Sequence, residues 1–215
     1  MNISNCAKDP TLDYEFELLA KAPLVIGLDE VGRGAIAGPV AVGAQVFTPD
    51  AGEIPAGLRD SKLLTEKRRE AVAPLLDAWG AGAVAFGAAA EIDANGITEM
   101  LGRTAREALS MLHEVGIPVQ HAVILLDGKH DWLSPQLNSP LTVVTRVGAD
   151  RACATVAAAS VRAKVQRDHF MIAAAKNFPH YAWERNKGYG SKAHFAGIAT
   201  HGVTELHRKT WIRLP

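Results

Sequence analysis

The sequence predicts an α/β domain in which a mixed β-sheet is covered by helices, and three observations lead to this prediction. Two apolar, β-rich segments, Leu24–Asp29 and Val40–Phe47, are separated by only a short glycine-containing loop, which favours antiparallel neighbours. Further along, strand-like runs alternate with helical patterns, as they do in α/β sheets. Apolar residues make up 48% and charged residues 21% of the 215 residues, a balance typical of a folded domain with its own core.

Two helices are predicted after these first strands. Thr65 is expected to cap a helix that runs toward Trp79, and Pro74 inside the pattern favours a kink or a shorter helix. Apolar residues recur at helical spacing from Ile97 to Val115, where a following glycine is a natural stop. A weak strand is predicted between the two helices, at residues 83–90.

The rest of the chain is predicted to hold two more strands and a long helix. A short apolar strand, residues 122–126, ends at Asp127, and a β-branched run at 141–147 forms the next strand. An alanine-rich helix is expected to start near Asp150 and to end before Pro179. The chain is therefore divided into an N-terminal extension at 1–23, a main domain at 24–178 and a helical, basic C-terminal segment at 179–215.

Composition excludes several classes of protein. No apolar run approaches the ~18 residues needed to cross a bilayer, and residues 1–21 lack the basic and apolar regions of a secretory signal. Cys6 and Cys153 show no disulfide-framework or metal-binding spacing, so a reducing, cytoplasmic setting is expected. The net charge is zero, but basic residues are concentrated near the end of the chain, where they could contact phosphates or form a solvated surface. They are Arg185, Lys187, Lys192, Arg208, Lys209 and Arg213.

Carboxylates stand at the ends of the predicted strands. Asp29 and Glu30 end the first strand and Asp127 ends a later one, whereas Asp150 follows a third at a helix start, where it could also act as an N-cap. Neighbouring strand ends can converge, and buried unpaired carboxylates are costly, so we expect the four acids to bind a divalent cation. Oxygen ligands without clustered Cys or His indicate Mg²⁺ or Mn²⁺, which in pairs support phosphodiester hydrolysis. For Asp29 and Glu30 alone, a solvated strand end is the alternative.

The glycine-rich loop Gly32-Arg33-Gly34 has a rival interpretation. With Ala37 it fits G-x-G-x-x-A, a variant of the dinucleotide fingerprint of nicotinamide-dependent oxidoreductases. That fingerprint must open a helix, whereas here Gly38-Pro39 and a β-rich run follow. The loop can instead let its backbone approach a sugar–phosphate chain closely, with Arg33 contributing charge. A plain tight turn is the other alternative.

Three shorter features are weak when taken alone. Ser61 and Lys62 offer a hydroxyl and a cation to a phosphate, unless they lie in a solvated loop. Tyr189, between two glycines, can present its ring to a sugar or base, or pack on the domain. In the tail, Ser191 is expected to cap a short helix, and His207 is expected to be an ordinary polar residue, although it could assist proton transfer.

In this order and spacing, the segments resemble type 2 ribonuclease H (ribonuclease HII) over residues 24–211. The stretches that carry the resemblance are 27–34 with 38–40, 60–63, 126–128, 157–168, and 186–190 with His194 and 207–208. The resemblance implies a ribonuclease H-like, five-stranded mixed sheet flanked by helices, with 24–178 as the catalytic domain and 179–215 contacting substrate. It also implies hydrolysis of RNA in RNA·DNA hybrids, and incision on the 5′ side of single ribonucleotides in duplex DNA, leaving a 3′-hydroxyl and a 5′-phosphate. A monomer that uses Mn²⁺ or Mg²⁺ is expected.

The resemblance also implies a role for each candidate residue. Asp29, Glu30, Asp127 and Asp150 match the catalytic metal centre of the family. Gly32, Arg33 and Gly34 match the loop that senses the ribose 2′-hydroxyl, Ser61 and Lys62 match phosphate-contacting positions, and Tyr189 matches a tyrosine that packs on the neighbouring deoxyribose. Arg151, beside Asp150, is bulkier than the family pattern. A non-catalytic nucleic-acid-binding protein on the same fold is the alternative, and the complete set of acids argues against it.

Overall fold

A computed structural model describes residues 9–213, which form five β-strands and eight α-helices. The predictions that fall on Cys6 and on the first residues of the N-terminal extension lie outside the described part, as do residues 214–215. Within the described part, no helix has the length and apolar character needed to span a membrane.

The five strands form one mixed sheet in the order β3-β2-β1-β4-β5. β1 (Leu24–Val31) pairs with β2 (Val40–Phe47) in antiparallel fashion, as predicted, and β2 pairs antiparallel with β3 (Gly82–Gly87). On the other side, β4 (Ala122–Asp127) runs parallel to β1, and β5 (Thr142–Arg146) runs parallel to β4. The predicted α/β class and the five-stranded mixed sheet are confirmed.

Helices cover both faces of the sheet because successive side chains of a strand point to opposite faces. Ile26 and Leu28 of β1 pack in the core cluster that contains the apolar residues of α4, whereas Val25 packs in a cluster with Val156 of α6. The helices are α1 (Asp13–Leu19), α2 (Glu66–Trp79), α3 (Ala89–Asn95), α4 (Ile97–Glu114), α5 (Ala149–Ala152), α6 (Ala154–Asn177), α7 (Trp183–Asn186) and α8 (Lys192–His201).

Most predicted helix ends agree with the structure. The Thr65 hydroxyl accepts the N–H of Arg68 at 3.4 Å and caps α2, which continues through Pro74. The Ser191 hydroxyl accepts the N–H of His194 at 3.2 Å and caps α8. These two caps, and the helix predicted from Ile97, are confirmed.

One predicted boundary and the continuity of one predicted helix are wrong. The strand predicted at 83–90 ends at Gly87, because the N–H of Ala88 donates to the Glu91 carboxylate at 3.2 Å and starts α3. The alanine-rich helix is interrupted at Cys153, which is extended with φ −113° and ψ 124° and separates α5 from α6. The second half of the helix ends at Asn177, before the proline, as predicted.

Candidate active site

The sheet topology brings the first predicted acids to one end of the sheet. β1 and β4 are parallel, with Leu28 opposite Leu126, so Asp29 and Asp127 are the next residues of two adjacent strands. Asp29 is 2% exposed, and its side chain points to the α6 face, where it accepts a hydrogen bond from Ser160. Glu30 follows on the other face.

Asp150 lies on the four-residue helix α5, but the capping role considered for it belongs to Asp127. The N-cap position of α5 is Gly148, which has a φ of +71°. The Oδ1 atom of Asp127 accepts the N–H of Ala149 at 2.8 Å, so the end of β4 supplies the cap. This hydrogen bond holds α5 beside the strand end. Asp150 is buried there, with the ammonium of Lys62 2.8 Å from its Oδ2 atom.

The carboxyl groups at this end of the sheet are electrostatically coupled. Burial raises the pKa of Asp29 well above its ordinary value, and the charges of Glu30 and Asp127 raise it further. Burial also raises the pKa of Glu30, an effect that Arg33 partly offsets. Burial and then the charge of Asp150 raise the pKa of Asp127. Negative charge that is concentrated and poorly solvated in this way attracts a cation.

The donor chemistry of these residues fits a hard divalent cation. The Oδ2 atom of Asp29 is buried and has no hydrogen-bond partner among the described residues, an arrangement that is costly for an ionised carboxylate. All four acids offer oxygen ligands of the kind that Mg²⁺ and Mn²⁺ take. As the side chains stand, no group of three His, Cys, Asp or Glu residues within 9–213 is arranged to hold a metal ion. Two of the acids form ion pairs with cationic side chains: Glu30 with Arg33 at 3.3 Å, and Asp150 with Lys62. Both carboxylates would have to leave these ion pairs in order to bind a metal ion.

The glycine loop that follows β1 is held from inside by two fully buried arginines, Arg167 and Arg208. Arg208 donates to the carbonyl of Gly32 at 2.7 Å and to that of Arg33 at 2.9 Å. Arg167 donates to three further carbonyls, those of Ala37, Pro39 and Lys187. Burial lowers the pKa of both guanidinium groups, that of Arg208 to about 10. The conformation of the loop therefore depends on cations that face carbonyl oxygens.

The two glycines of the loop serve different purposes. Gly32 has a φ of +84°, and a Cβ atom there would lie 2.0 Å from Nε of Arg167, so a side chain would displace the arginine. A Cβ atom at Gly34 would meet nothing within 4 Å. The loop thus presents open backbone at Gly34, next to the half-exposed side chain of Arg33.

Ser61 and Lys62 are adjacent in sequence but differ in their exposure to solvent. The Lys62 side chain is 64% exposed and stands beside Asp150, within reach of a ligand at the acids. Ser61 is 2% exposed, and its hydroxyl is hydrogen bonded to that of Ser160 at 2.8 Å, a placement that does not suit the expected phosphate contact. Because Ser160 also hydrogen bonds to Asp29, Ser61 supports the acid cluster from within. Arg151, beside Asp150, pairs with Asp60, and its Nε atom lies 3.5 Å from Oδ2 of that carboxylate.

Tyr189 lies next to the glycine loop and is joined to it through Gly188 and Arg167. The N–H groups of Ile36 and Ala37 donate to the carbonyl of Gly188 at 3.0 and 3.1 Å. The guanidinium of Arg167 lies 5.5 Å from the centre of the Tyr189 ring. Tyr189 is 39% exposed. The ring and the loop therefore lie side by side and form one partly exposed surface.

Sequence reasoning missed several residues of this surface. Lys187 and Arg208, counted among the basic residues of the tail, are both buried, so neither belongs to a solvated surface. His207, expected to be an ordinary polar residue, is 1% exposed, and its Nε2 atom lies 3.1 Å from Nε2 of His194. The same His194 nitrogen accepts the indole N–H of Trp183 at 3.0 Å. The residue order 207–208 carried the resemblance, but local pattern gave no sign of burial.

Comparison with known proteins agrees with this arrangement. A family model described as Ribonuclease HII matches residues 26–214. The chain belongs to the ribonuclease HII family. A ribonuclease HII of Streptomyces avermitilis is 41% identical over 205 residues, which cover 95% of this chain and 83% of the relative.

Two solved structures share the fold. The ribonuclease HII of Archaeoglobus fulgidus, solved in complex with PCNA, superposes with a TM-score of 0.71 at 26% identity, over 88% of this chain and 96% of that one. A Bst ribonuclease HIII in complex with Mn²⁺ gives a TM-score of 0.71 at 22% identity, over 96% and 72% of the two chains, and shows likeness of fold alone. As a member of the ribonuclease HII family, the chain is a hydrolase, a metal-dependent endoribonuclease of RNA in RNA·DNA hybrids.

Proposed function

We propose that the chain also incises duplex DNA on the 5′ side of a single embedded ribonucleotide, leaving a 3′-hydroxyl and a 5′-phosphate. The observation that carries this proposal is that Gly188, the residue before Tyr189, accepts the N–H groups of Ile36 and Ala37, just beyond the glycine loop. An open backbone at Gly34 suits a sugar with a 2′-hydroxyl, because that hydroxyl is what distinguishes RNA from DNA. A half-exposed ring at a fixed distance suits packing on the next sugar. Such a surface would favour the junction between ribose and deoxyribose.

The reaction is assigned to Asp29, Glu30, Asp127 and Asp150 as ligands of two Mn²⁺ or Mg²⁺ ions. When bound, the ions would supply an activated water and would stabilise the leaving oxygen. Asp29 is oriented by Ser160, and Asp127 by the N–H of Ala149.

The substrate backbone is assigned to exposed cationic side chains near the acids. Lys62 pairs with Asp150 as the side chains stand, and its ammonium would be free to contact a phosphate if Asp150 held a metal ion. Arg33 is placed in the same way beside Glu30. The C-terminal segment 179–215 contributes Tyr189, and a monomer would suffice, since every residue assigned here comes from one chain.

The test compares three end-labelled duplexes of one sequence: all DNA, DNA with one ribonucleotide, and an RNA·DNA hybrid. With Mn²⁺ or Mg²⁺, the protein should cut the hybrid and nick the second duplex once, 5′ of the ribonucleotide, and leave the all-DNA duplex intact. Cleavage of the hybrid without that single nick would overturn the proposal.

Asp127→Asn tests the acid assignment in the same assay. It should lower both activities by a hundredfold or more, on the order of the several kcal/mol that a metal contributes. The matched control is Asp50→Asn, which neutralises an exposed carboxylate. Asp50 follows the C-terminal end of β2, which is the end of that strand farther from Asp29. Equal activity in the two variants would refute the role of Asp127.

A further inference from the structure

The interruption between α5 and α6 is bound by the N-terminal segment, defined here as residues 11–18. The N–H of Thr11 donates to the carbonyl of Ala152 at 3.0 Å, and the N–H of Ala154 donates to the carbonyl of Thr11 at 2.9 Å. A continuous helix would pair both of these groups internally, and the interruption frees them. Thr11 therefore satisfies the backbone that is exposed on either side of Cys153.

A buried carboxylate of the same segment caps the second helix. Glu15 is fully buried, and its Oε1 atom accepts both the N–H and the hydroxyl of Thr155, each at 2.9 Å. Thr155 is the second residue of α6, where an N–H has no partner inside the helix. Glu15 thus supplies a cap from 140 residues away in the sequence.

Two more contacts anchor the N-terminal segment to the sheet. Leu18 is 4% exposed and packs in a cluster with Val25 of β1 and Val123 of β4. The guanidinium of Arg146, the last residue of β5, lies 4.3 Å from the centre of the Tyr14 ring. The segment is therefore fixed relative to the strands that carry the acids.

We propose that the N-terminal segment is a positioning element that holds α5, and with it Asp150, at the metal centre. A helix of four residues is not stable by itself, so its placement depends on its attachments. Asp127 attaches its first turn through Ala149, and Thr11 attaches its last residue, Ala152. Asp150 lies between the two attachments. The inference rests on the proposed function, in which Asp150 is a metal ligand.

The test uses the full chain with the variant Glu15→Ala and measures Mn²⁺ binding without substrate by isothermal titration calorimetry. Removing a residue that orients a metal ligand without touching the metal usually lowers metal affinity by about tenfold or more. We expect Glu15→Ala to lower Mn²⁺ affinity by about tenfold. Amide hydrogen exchange at Ala154 and Thr155 should become faster, since both N–H groups bind the segment. Glu15→Gln keeps an oxygen acceptor for Thr155 and should restore most of the affinity.

A second variant separates positioning from loss of stability. Leu109→Ala removes a buried side chain of α4, on the other face of the sheet, and should lower the melting temperature without changing Mn²⁺ affinity. Unchanged Mn²⁺ affinity in Glu15→Ala, with weakened binding in Asp150→Asn, would overturn the inference and leave the proposed function standing. Unchanged affinity in Asp150→Asn would instead overturn the ligand assignment, and the inference with it.

Discussion

The guanidinium of Arg208 donates to the carbonyl of Gly32 at 2.7 Å, and this contact joins the end of the chain to the loop that follows the first strand. The same side chain also donates to the carbonyls of Arg33 and Gly38. Arg208 is fully buried, so the charge is stabilised by oriented carbonyl dipoles instead of water. Removing it would leave those carbonyls without this donor.

We expect Arg208→Met to lower the free energy of unfolding by about 3 kcal/mol, because each buried carbonyl left unsatisfied costs about 1–3 kcal/mol. Urea denaturation followed by circular dichroism measures this change. The control, Arg103→Met, removes an exposed ion pair with Glu99 on α4 and should cost less than about 1 kcal/mol. Similar losses in the two variants would show that Arg208 does not support the loop.

The two loop glycines should separate folding from substrate binding. Gly32→Ala places a Cβ atom against Arg167 at a positive φ and should lower the melting temperature by several degrees. Gly34→Ala adds a methyl group in open space and should leave the melting temperature unchanged. If the substrate backbone approaches Gly34, that methyl group should raise KM for the single-ribonucleotide duplex. A KM equal to that of the unaltered chain would remove Gly34 from the substrate surface.

The positions of Asp29 and Asp127 at strand ends were predictable from sequence, whereas the contacts that support them were not. Asp29 and Asp127 each close an apolar run, a local pattern that identifies the end of a buried strand. Asp127 caps α5 through a residue that is 22 positions away in the sequence. The interruption at Cys153 is stabilised by contacts with residues at least 140 positions away. No local sequence pattern contains either partner. Arg208 lies in a basic stretch that resembles a surface, because the carbonyls that stabilise it come from a distant loop.

Lys62 should compete with the metal. Its ammonium pairs with Asp150. Burial alone would lower the pKa of Lys62, but the hydrogen bond to Asp150 and the charge of Asp29 outweigh burial and raise it. Lys62→Met removes a positive charge beside the acids, so Mn²⁺ affinity should rise by roughly three- to tenfold. Calorimetric titration without substrate measures it, with exposed Lys67→Met on α2 as the control. Weaker Mn²⁺ binding in Lys62→Met would contradict the competition.

Acidification should destabilise the histidine pair. Burial, and then the charge of His194, lowers the pKa of His207 from 6.5 to about 4. The unfolded chain therefore takes up a proton as the pH falls below 6.5, whereas the folded chain does not until about pH 4, so stability present above pH 6.5 is lost between these values. The loss amounts to about 3 kcal/mol. Urea unfolding at several pH values should show a smaller loss in His207→Gln, and parallel curves would contradict this.

Asp29 should limit stability in the absence of metal. Burial and neighbouring carboxylates raise its pKa, which means that the folded state disfavours its charge, and its Oδ2 atom has no hydrogen-bond partner in the described chain. Asp29→Asn removes the charge, so at neutral pH the metal-free variant should unfold about 3 °C higher, equivalent to about 1 kcal/mol. The same variant should lose the rise in melting temperature that Mn²⁺ produces by binding the folded state. A lower melting temperature of the metal-free variant, or an unchanged response of the variant to Mn²⁺, would show that Asp29 is not a metal ligand that destabilises the metal-free protein.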